Sequence, residues 1–159
     1  MIRSPQSKCI RFDALSALGK SLRKDGKKIV TTNGCFDVLH WGHLLSLWEA
    51  RKWGDVLVCG LNSDASVRLL KGPKRPVHSE DIRALQLASV ECVDWVTVFT
   101  EVTPEMFLRS LCPHIHVKGA DYQGKEVPEN AIVKEWGGEV KYAPFCEGFS
   151  TSALLRKES

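Results

Sequence analysis

The chain has 159 residues, of which 43% are hydrophobic and 26% are charged, and its formal net charge at pH 7 is +3. This length and composition favour one globular domain with a core of its own. The small net charge argues against nucleic acid as a partner. No apolar run approaches the roughly 18 residues that a bilayer-spanning helix needs, so we also expect no membrane association.

The cysteine pattern points to a reducing compartment. Six cysteines are scattered along the chain, and none forms a Cys-x-x-Cys pair. This spacing supports neither a zinc knuckle nor a thioredoxin-type motif. Because several of them, such as Cys59, lie within apolar runs, buried free thiols in the cytosol are the simplest interpretation. We therefore expect a cytoplasmic protein without a protein-bound metal.

Strands and helices are predicted to alternate along the chain. An amphipathic pattern over residues 13–24 predicts a helix in an N-terminal segment, 1–26, packed on the main domain, 27–159. The main domain then reads, in order, strand 29–32, helix 42–53, strand 55–61, a helix after the N-cap residues 62–64, helix 79–90, strand 95–99, a helix opened by Pro104, strand 115–118, a glycine-rich turn 119–125, helix 129–136, strand 139–143 and helix 151–157.

This alternation predicts an α/β fold: a Rossmann-like, doubly wound, parallel five-stranded sheet with helices on both faces. The almost wholly apolar strand at 55–61 suits a sheet that is covered on both sides. In such sheets, ligands bind beyond the carboxyl ends of the strands, at the point where the strand order reverses. We therefore look for the functional residues just after the strands.

The most informative stretch follows the first strand. It reads Thr32-Asn33-Gly34-Cys35-Phe36-Asp37-Val38-Leu39-His40-Trp41-Gly42-His43. A strand, a glycine-bearing turn and a helix N-terminus form a natural anion site, because backbone N–H groups converge there and the helix dipole adds about half a positive charge. Two imidazoles at this point suit phosphate chemistry. A zinc site of the H-E-x-x-H type fits less well, since both its spacing and its glutamate base are missing.

The motif resembles the HxGH signature of the cytidylyltransferase-like nucleotidyltransferases, whose two histidines contact the phosphates of a bound nucleoside triphosphate. Further stretches resemble the adenylyltransferases of heptose 1-phosphate, namely residues 62–68, 70–72, 75–77, 93–96, 117–122 and 149–155. Ala120 replaces a glycine that is usual in that family. Phe145 stands where glycerol-phosphate cytidylyltransferases carry an arginine, which favours the heptose branch. Since 159 residues leave no room for the kinase half of the bifunctional form, we expect the stand-alone form.

The resemblance implies roles for particular residues. His40, His43 and Lys71 are the expected catalytic residues: the histidines would donate hydrogen bonds to the triphosphate, and Lys71 would neutralise phosphates from a mobile loop. The expected nucleotide-binding residues are Gly34, Cys35, Phe36, Asp37, Gly42, Lys118, Gly119, Asp121, Ser150 and Thr151. The candidates for binding the substrate phosphate are Lys74, Arg75 and Arg83.

Several of these residues have a plainer alternative. Gly34 could be an ordinary turn glycine, and Asp37 could support a histidine, support the metal or cap the turn. Ser150 and Thr151 could cap the last helix instead of holding phosphate. Arg83 could lie at a dimer interface, bind phosphate or be a solvated surface arginine.

The resemblance implies transfer of AMP from ATP to D-glycero-D-manno-heptose 1-phosphate. The products would be pyrophosphate and ADP-heptose for lipopolysaccharide core or a related glycoconjugate. Mg²⁺ is expected to arrive with ATP and to bridge phosphate oxygens, and the family suggests a homodimer. One alternative is guanylyl or cytidylyl transfer to another sugar or polyol phosphate. Another is a non-catalytic nucleotide-binding module on the same scaffold. The residues leave the nucleotide base and the sugar anomer open.

Overall fold

The structure is a computed structural model that describes residues 2–144, 148, 155 and 156. Within this part, the core is a five-stranded sheet with the order β3-β2-β1-β4-β5, and every neighbouring pair of strands is parallel. The strands are β1 Ile29–Gly34, β2 Val56–Asn62, β3 Trp95–Phe99, β4 Ile115–Lys118 and β5 Glu139–Tyr142. The predicted α/β fold and its five strands are confirmed.

The helices of the described residues are α1 Pro5–Lys8, α2 Leu15–Lys24, α3 Trp41–Arg51, α4 Asp64–Lys71, α5 Glu80–Ala88, α6 Glu105–Leu111 and α7 Pro128–Lys134. Short 3₁₀ turns at Phe12–Ala14 and Ala120–Tyr122 complete the set. The sequence pattern predicted α2 to α7 within a few residues but missed α1 and both 3₁₀ turns. The predicted helix at 151–157 lies mostly outside the described residues; residues 155 and 156 are helical.

Helices cover both faces of the sheet. One apolar cluster joins β1 and β2 to α3 and α5, and includes Leu47, Leu57 and Leu87. The cluster on the opposite face packs α2, α6 and α7 on the sheet and includes Leu15 and Phe107. Because it is covered from both sides, β2 is buried along its whole length, as its continuous apolar sequence predicted.

The segment before β1 lies along the sheet. Its Ile10 amide donates a 2.8 Å hydrogen bond to the Val96 carbonyl of the edge strand β3. The Arg3 guanidinium lies 4.2 Å from the centre of the Trp95 ring, and Leu15 of α2 is fully buried. These contacts cover the outer edge of β3 with the chain's own N-terminal residues.

The strand order reverses between β1 and β4. From β1 the chain proceeds outward through β2 to β3, and then crosses back to β4 and β5 on the other side of β1. The carboxyl ends of β1 and β4 therefore border the crevice where ligands bind in folds of this type. Among the described helices, none has the length and apolar character needed to cross a membrane.

Candidate active site

The two motif histidines lie together where β1 leads into α3. His40 is the N-cap residue of α3, but its side chain makes no capping hydrogen bond. Its ring stacks on the ring of His43, with centroids 3.8 Å apart and planes 25° apart. The Phe36 ring lies against the other side of the site, with its centroid 5.2 Å from that of His43. The Nδ1 atoms of both histidines are buried without a hydrogen-bond partner among the described residues.

Both imidazoles are neutral at pH 7. Burial, together with smaller contributions from His40 and Lys71, lowers the pKa of His43 to about 4. Burial also lowers the pKa of His40. A neutral imidazole has one N–H donor and one acceptor nitrogen. The pair can therefore offer hydrogen bonds to an anion without bringing two positive charges into contact.

The turn between β1 and the histidines has an unusual backbone. Phe36 is buried and has a φ of 43°, in the left-handed region that few residues other than glycine adopt. A Cβ at Gly34 would lie 3.2 Å from the Phe36 ring, so glycine gives that ring the room to fold back. Strained backbone of this kind concentrates at functional sites, and here it places the aromatic ring beside His43.

Asp37 anchors the loop that follows α4. It is only 1% exposed, and its carboxylate accepts hydrogen bonds from Arg75 Nε, from the Val77 amide at 2.7 Å and from the His78 amide at 3.3 Å. Burial alone would raise the pKa of Asp37, but Arg75 and the two amides hold it below its usual range. These three donors occupy the Asp37 carboxylate, so its observed role is to hold the loop, and nucleotide binding by Asp37 stays a prediction.

The same contact changes the interpretation of Arg75. Its guanidinium pairs with the buried Asp37 carboxylate, and the side chain is 15% exposed. We had predicted that Arg75 binds the substrate phosphate together with Lys71 and Lys74. In the structure Arg75 holds the loop in place through Asp37, while Lys71 and Lys74 remain exposed, and phosphate binding by Arg75 stays a prediction.

Arg83 is also a structural residue. It is fully buried in α5, and its guanidinium donates to the carbonyls of His78, Cys35 and Asn62 and to the Asp64 carboxylate at 2.7 to 2.9 Å. These bonds tie the motif turn to the end of β2 and to the start of α5. The expectation of a surface, interface or phosphate-binding arginine was wrong, because the side chain has no exposed area.

Two clefts open at the carboxyl edge of the sheet. The smaller, of about 130 Å³, is lined by Phe36 and His43, and the larger, of about 710 Å³, by Cys35 and Lys71. They share Asn33, Lys118 and Gly119 at the ends of β1 and β4. The motif and the loop after β4, which are far apart in sequence, are therefore brought together at the predicted place.

Not every predicted residue lines these clefts. Gly34 lines the larger one, and Gly42 lies in the first turn of α3. Asp121 is exposed and lines neither cleft, and the same holds for Lys74. The predicted phosphate-binding residues Ser150 and Thr151 lie outside the described residues.

Lys118 stands between the two clefts and is held from two sides. Its Nζ atom lies 2.9 Å from Glu129 Oε1 and 4.6 Å from the centre of the Tyr122 ring. Next to it, the Asp121 carboxylate folds back over Gly119, where a Cβ would lie only 2.5 Å from Asp121 Oδ1. Sequence reasoning singled out Lys118 but missed its partner Glu129. Across the described ranges, no group of three or more His, Cys, Asp or Glu side chains is placed to hold a metal ion.

Comparison with known proteins places this site in a family. The cytidylyltransferase-like family matches residues 31–157, which include the motif and both clefts. The chain belongs to the cytidylyltransferase-like family.

Two similar curated relatives are both named bifunctional protein HldE. The one from Wolinella succinogenes is 49% identical over 152 residues, which cover 96% of this chain and 31% of the relative. The one from Helicobacter pylori is 52% identical over 143 residues, which cover 90% of this chain and 30% of the relative. This member of the cytidylyltransferase-like family therefore spans just under a third of the length of these relatives.

Solved structures support the fold. A lipopolysaccharide core biosynthesis protein from Thermoplasma volcanium superposes with a TM-score of 0.67 and 24% identity, covering 77% of this chain and all of that chain. A pantoate-beta-alanine ligase from Francisella tularensis, complexed with beta-gamma ATP and beta-alanine, superposes with a TM-score of 0.66 and 15% identity, covering 94% of this chain and 72% of that chain. At these identities, the likeness concerns the cytidylyltransferase-like fold alone.

Proposed function

We propose that this chain transfers AMP from ATP to D-glycero-D-manno-heptose 1-phosphate and releases pyrophosphate and ADP-heptose. The observation that carries the proposal is the stacked pair of neutral histidines at the start of α3, beside Lys71, in a cytidylyltransferase-like protein. The choice of heptose rests on the resemblance of residues 62–72 and 117–122 to heptose 1-phosphate adenylyltransferases. The high identity to the HldE proteins over almost the whole chain supports the same branch.

The chemistry needs little from the protein beyond positioning and charge stabilisation. An oxygen of the sugar phosphate attacks the α-phosphorus of ATP, and the bond from that phosphorus to the bridging oxygen breaks as pyrophosphate leaves. The second pKa of a phosphate monoester is about 6, so the nucleophile is already ionised at pH 7 and no general base is required. His40 and His43 would donate hydrogen bonds to the phosphate oxygens that gain charge as pyrophosphate departs.

Positive charge comes from Lys71 and from the Mg²⁺ that accompanies ATP as part of the substrate. Lys71 lies at the end of α4, lines the larger cleft and is close enough to lower the pKa of His43. Mg²⁺ would be held by phosphate oxygens of ATP and by several waters, so it would need few ligands from the protein. The carboxylate of the motif itself, Asp37, is engaged with Arg75.

Pyrophosphate release tests the proposal. The purified protein is supplied with Mg²⁺, with ATP, GTP or CTP, and with heptose 1-phosphate as either anomer. Release with ATP and one heptose anomer supports the full proposal. Release only with GTP or CTP would keep the reaction type but show that the protein uses a different nucleotide. Nucleotide binding without release under every condition would contradict heptose 1-phosphate as the acceptor and would leave another acceptor or the non-catalytic module.

Histidine variants locate the chemistry in the protein. His40→Ala should lower turnover by about 100-fold or more, since a hydrogen-bond donor placed on developing charge contributes that much. His114→Ala is the matched control, because His114 lies at the amino end of the strands, opposite the site, where its Nδ1 accepts a hydrogen bond from the Ile29 amide. Near-normal turnover in His40→Ala, with pyrophosphate still released, would remove His40 from the mechanism.

A homodimer is part of the same proposal. Trp41 and Trp48 stand seven residues apart on α3, which places them on one face of the helix, and they are 53% and 44% exposed. Two large exposed aromatic side chains on one helix face suit a contact with a second copy. Light scattering after gel filtration should give twice the chain mass, and Trp48→Lys should give the monomer mass.

A further inference from the structure

A buried ion pair lies on the wall of the larger cleft, outside the histidine site. Lys118 Nζ and Glu129 Oε1 are 2.9 Å apart, and their side chains are 12% and 8% exposed. Both residues line the cleft, and Lys118 also borders the smaller one. The pair joins the end of β4 to the first turn of α7, so it stands in a fixed position on the wall of this cleft.

The pair leaves one strong acceptor unused. Glu129 Oε2 is buried and has no hydrogen-bond partner among the described residues. The side-chain oxygen of Asn33, which borders both clefts, is in the same situation. Buried carboxylate and amide oxygens are almost always hydrogen-bonded in folded proteins, because leaving them unpaired is costly. Two such oxygens on one cleft are placed to accept hydrogen bonds from a ligand that brings donors.

The chemistry of the wall selects the kind of donor. A phosphate has no donor for Glu129 at neutral pH and would be repelled by the carboxylate. Lys118 already balances the charge of Glu129, so a cationic ligand gains little there. A hydroxyl group is neutral, and it donates one hydrogen bond to an oxygen acceptor.

We propose that Glu129, held by Lys118, accepts a hydrogen bond from a sugar hydroxyl of a bound substrate, with Asn33 as a second acceptor on the same cleft. This inference rests on the proposed function, in which both substrates carry a sugar. The hydroxyl belongs either to the ribose of ATP or to the heptose of the acceptor, and the same chemistry serves both.

The test is Glu129→Gln, which keeps the side-chain shape and leaves an oxygen for Lys118. Hydrogen bonds to an ionised acceptor are stronger than those to a neutral one, so the KM of the substrate that carries the hydroxyl should rise about tenfold. The control is Glu135→Gln, the same change at the end of α7, where the glutamate pairs with Arg109 on the surface. This control should leave both KM values unchanged.

Substrate analogues identify the hydroxyl. A rise in the KM for ATP that is absent with 2′-deoxyATP or 3′-deoxyATP assigns Glu129 to the ribose. A rise in the KM for heptose 1-phosphate that is absent with one singly deoxygenated heptose 1-phosphate assigns it to the acceptor. Either result supports the proposal. Both KM values within twofold of wild type, with a lower melting temperature, would show a purely structural ion pair and overturn it.

Two further measurements keep the test decisive. Glu129→Asp keeps the charge for Lys118 but shortens the reach of the carboxylate, so a structural role would be rescued and a hydroxyl contact would not. If the wild-type protein releases no pyrophosphate, the proposed function has failed, and calorimetric binding of ATP and of heptose 1-phosphate then judges Glu129 separately. Unchanged affinities for both ligands in Glu129→Gln would refute the inference.

Discussion

Replacing Asp37 tests how the basic loop after α4 is held. Asp37 is almost fully buried and accepts three hydrogen bonds, one of them from the guanidinium of Arg75. Asp37→Asn keeps the side-chain shape but removes the negative charge. Arg75, which is mostly buried, then keeps its charge without a carboxylate partner. The new amide NH₂ group, a donor, also replaces a carboxylate oxygen that accepted hydrogen bonds.

The expected loss is large. Removing one partner of a buried ion pair costs about 3–5 kcal/mol. Because the Arg75 side chain keeps 15% exposure and Asn retains one acceptor oxygen, we expect the lower end of that range. A loss of about 3 kcal/mol lowers the melting temperature by roughly 6–12 °C for a domain of this size. Urea denaturation at pH 7, followed by tryptophan fluorescence, measures the free energy of unfolding directly.

The pH dependence has a definite sign. The pKa of Asp37 lies below its usual range in the folded protein, so its stabilisation is fully present above the unfolded pKa of about 3.9 and is lost as pH falls through the lower folded value. The difference between wild type and Asp37→Asn should stay constant from about pH 5 to 8 and shrink below about pH 4. Asp81→Asn, on the exposed side of α5, should change stability by less than about 0.5 kcal/mol. An Asp37→Asn loss below about 1 kcal/mol, or a difference that grows in acid, would refute the reasoning.

Three further outcomes are expected. Arg83→Lys should lower the free energy of unfolding by about 3 kcal/mol, because a lysine cannot reach the four acceptors that Arg83 serves; an unchanged urea midpoint would contradict this. Burial lowers the pKa of His116 to about 3. Above its unfolded pKa of about 6.5 this histidine therefore costs no stability, but as pH falls from about 6.5 toward 3 it lowers the free energy of unfolding by at most about 1.4 kcal/mol per pH unit. His116→Asn should flatten that part of a curve of stability against pH. Lys71→Met should lower pyrophosphate release by about 100-fold while the melting temperature stays within 2–4 °C of wild type; an equal loss of stability would show that Lys71 acts through the fold.

The strands and most helices could be predicted because their causes are local. An apolar run such as Val56–Asn62 indicates a strand that is covered on both faces, and this strand is indeed buried along its whole length. Within the predicted N-cap residues 62–64, the Ser63 side chain accepts a hydrogen bond from the Ser66 amide. By contrast, Pro5–Lys8 is too short for any periodicity to appear. It is held by contacts with α5 and by a hydrogen bond from Lys8 to the Val90 carbonyl, 82 positions away.

The site was predicted in place but not in its contacts. Motif and topology together put His40, His43 and Lys118 at the carboxyl edge of the sheet, as the structure has them. The neutral state of the histidines depends on how deeply neighbouring elements bury them, which residue types alone do not report. Asp37 and Arg75 are 38 positions apart, and no periodic pattern links them. One signal was available for Arg83: it lies beside Ala84 on the apolar face of α5, where a charged residue predicts an internal ion pair.

These contacts divide the basic residues of the motif region into two kinds. Arg75 and Arg83 form ion pairs with Asp37 and Asp64, and these pairs hold the walls of the clefts in place. Lys71 remains exposed at the end of α4, where the loop can bring its charge to a phosphate. Removing an arginine should therefore reduce stability first and activity only as a consequence, whereas removing Lys71 should reduce activity alone. In the proposed reaction, the two arginines would therefore stabilise the walls of the clefts, and Lys71 would contact the triphosphate.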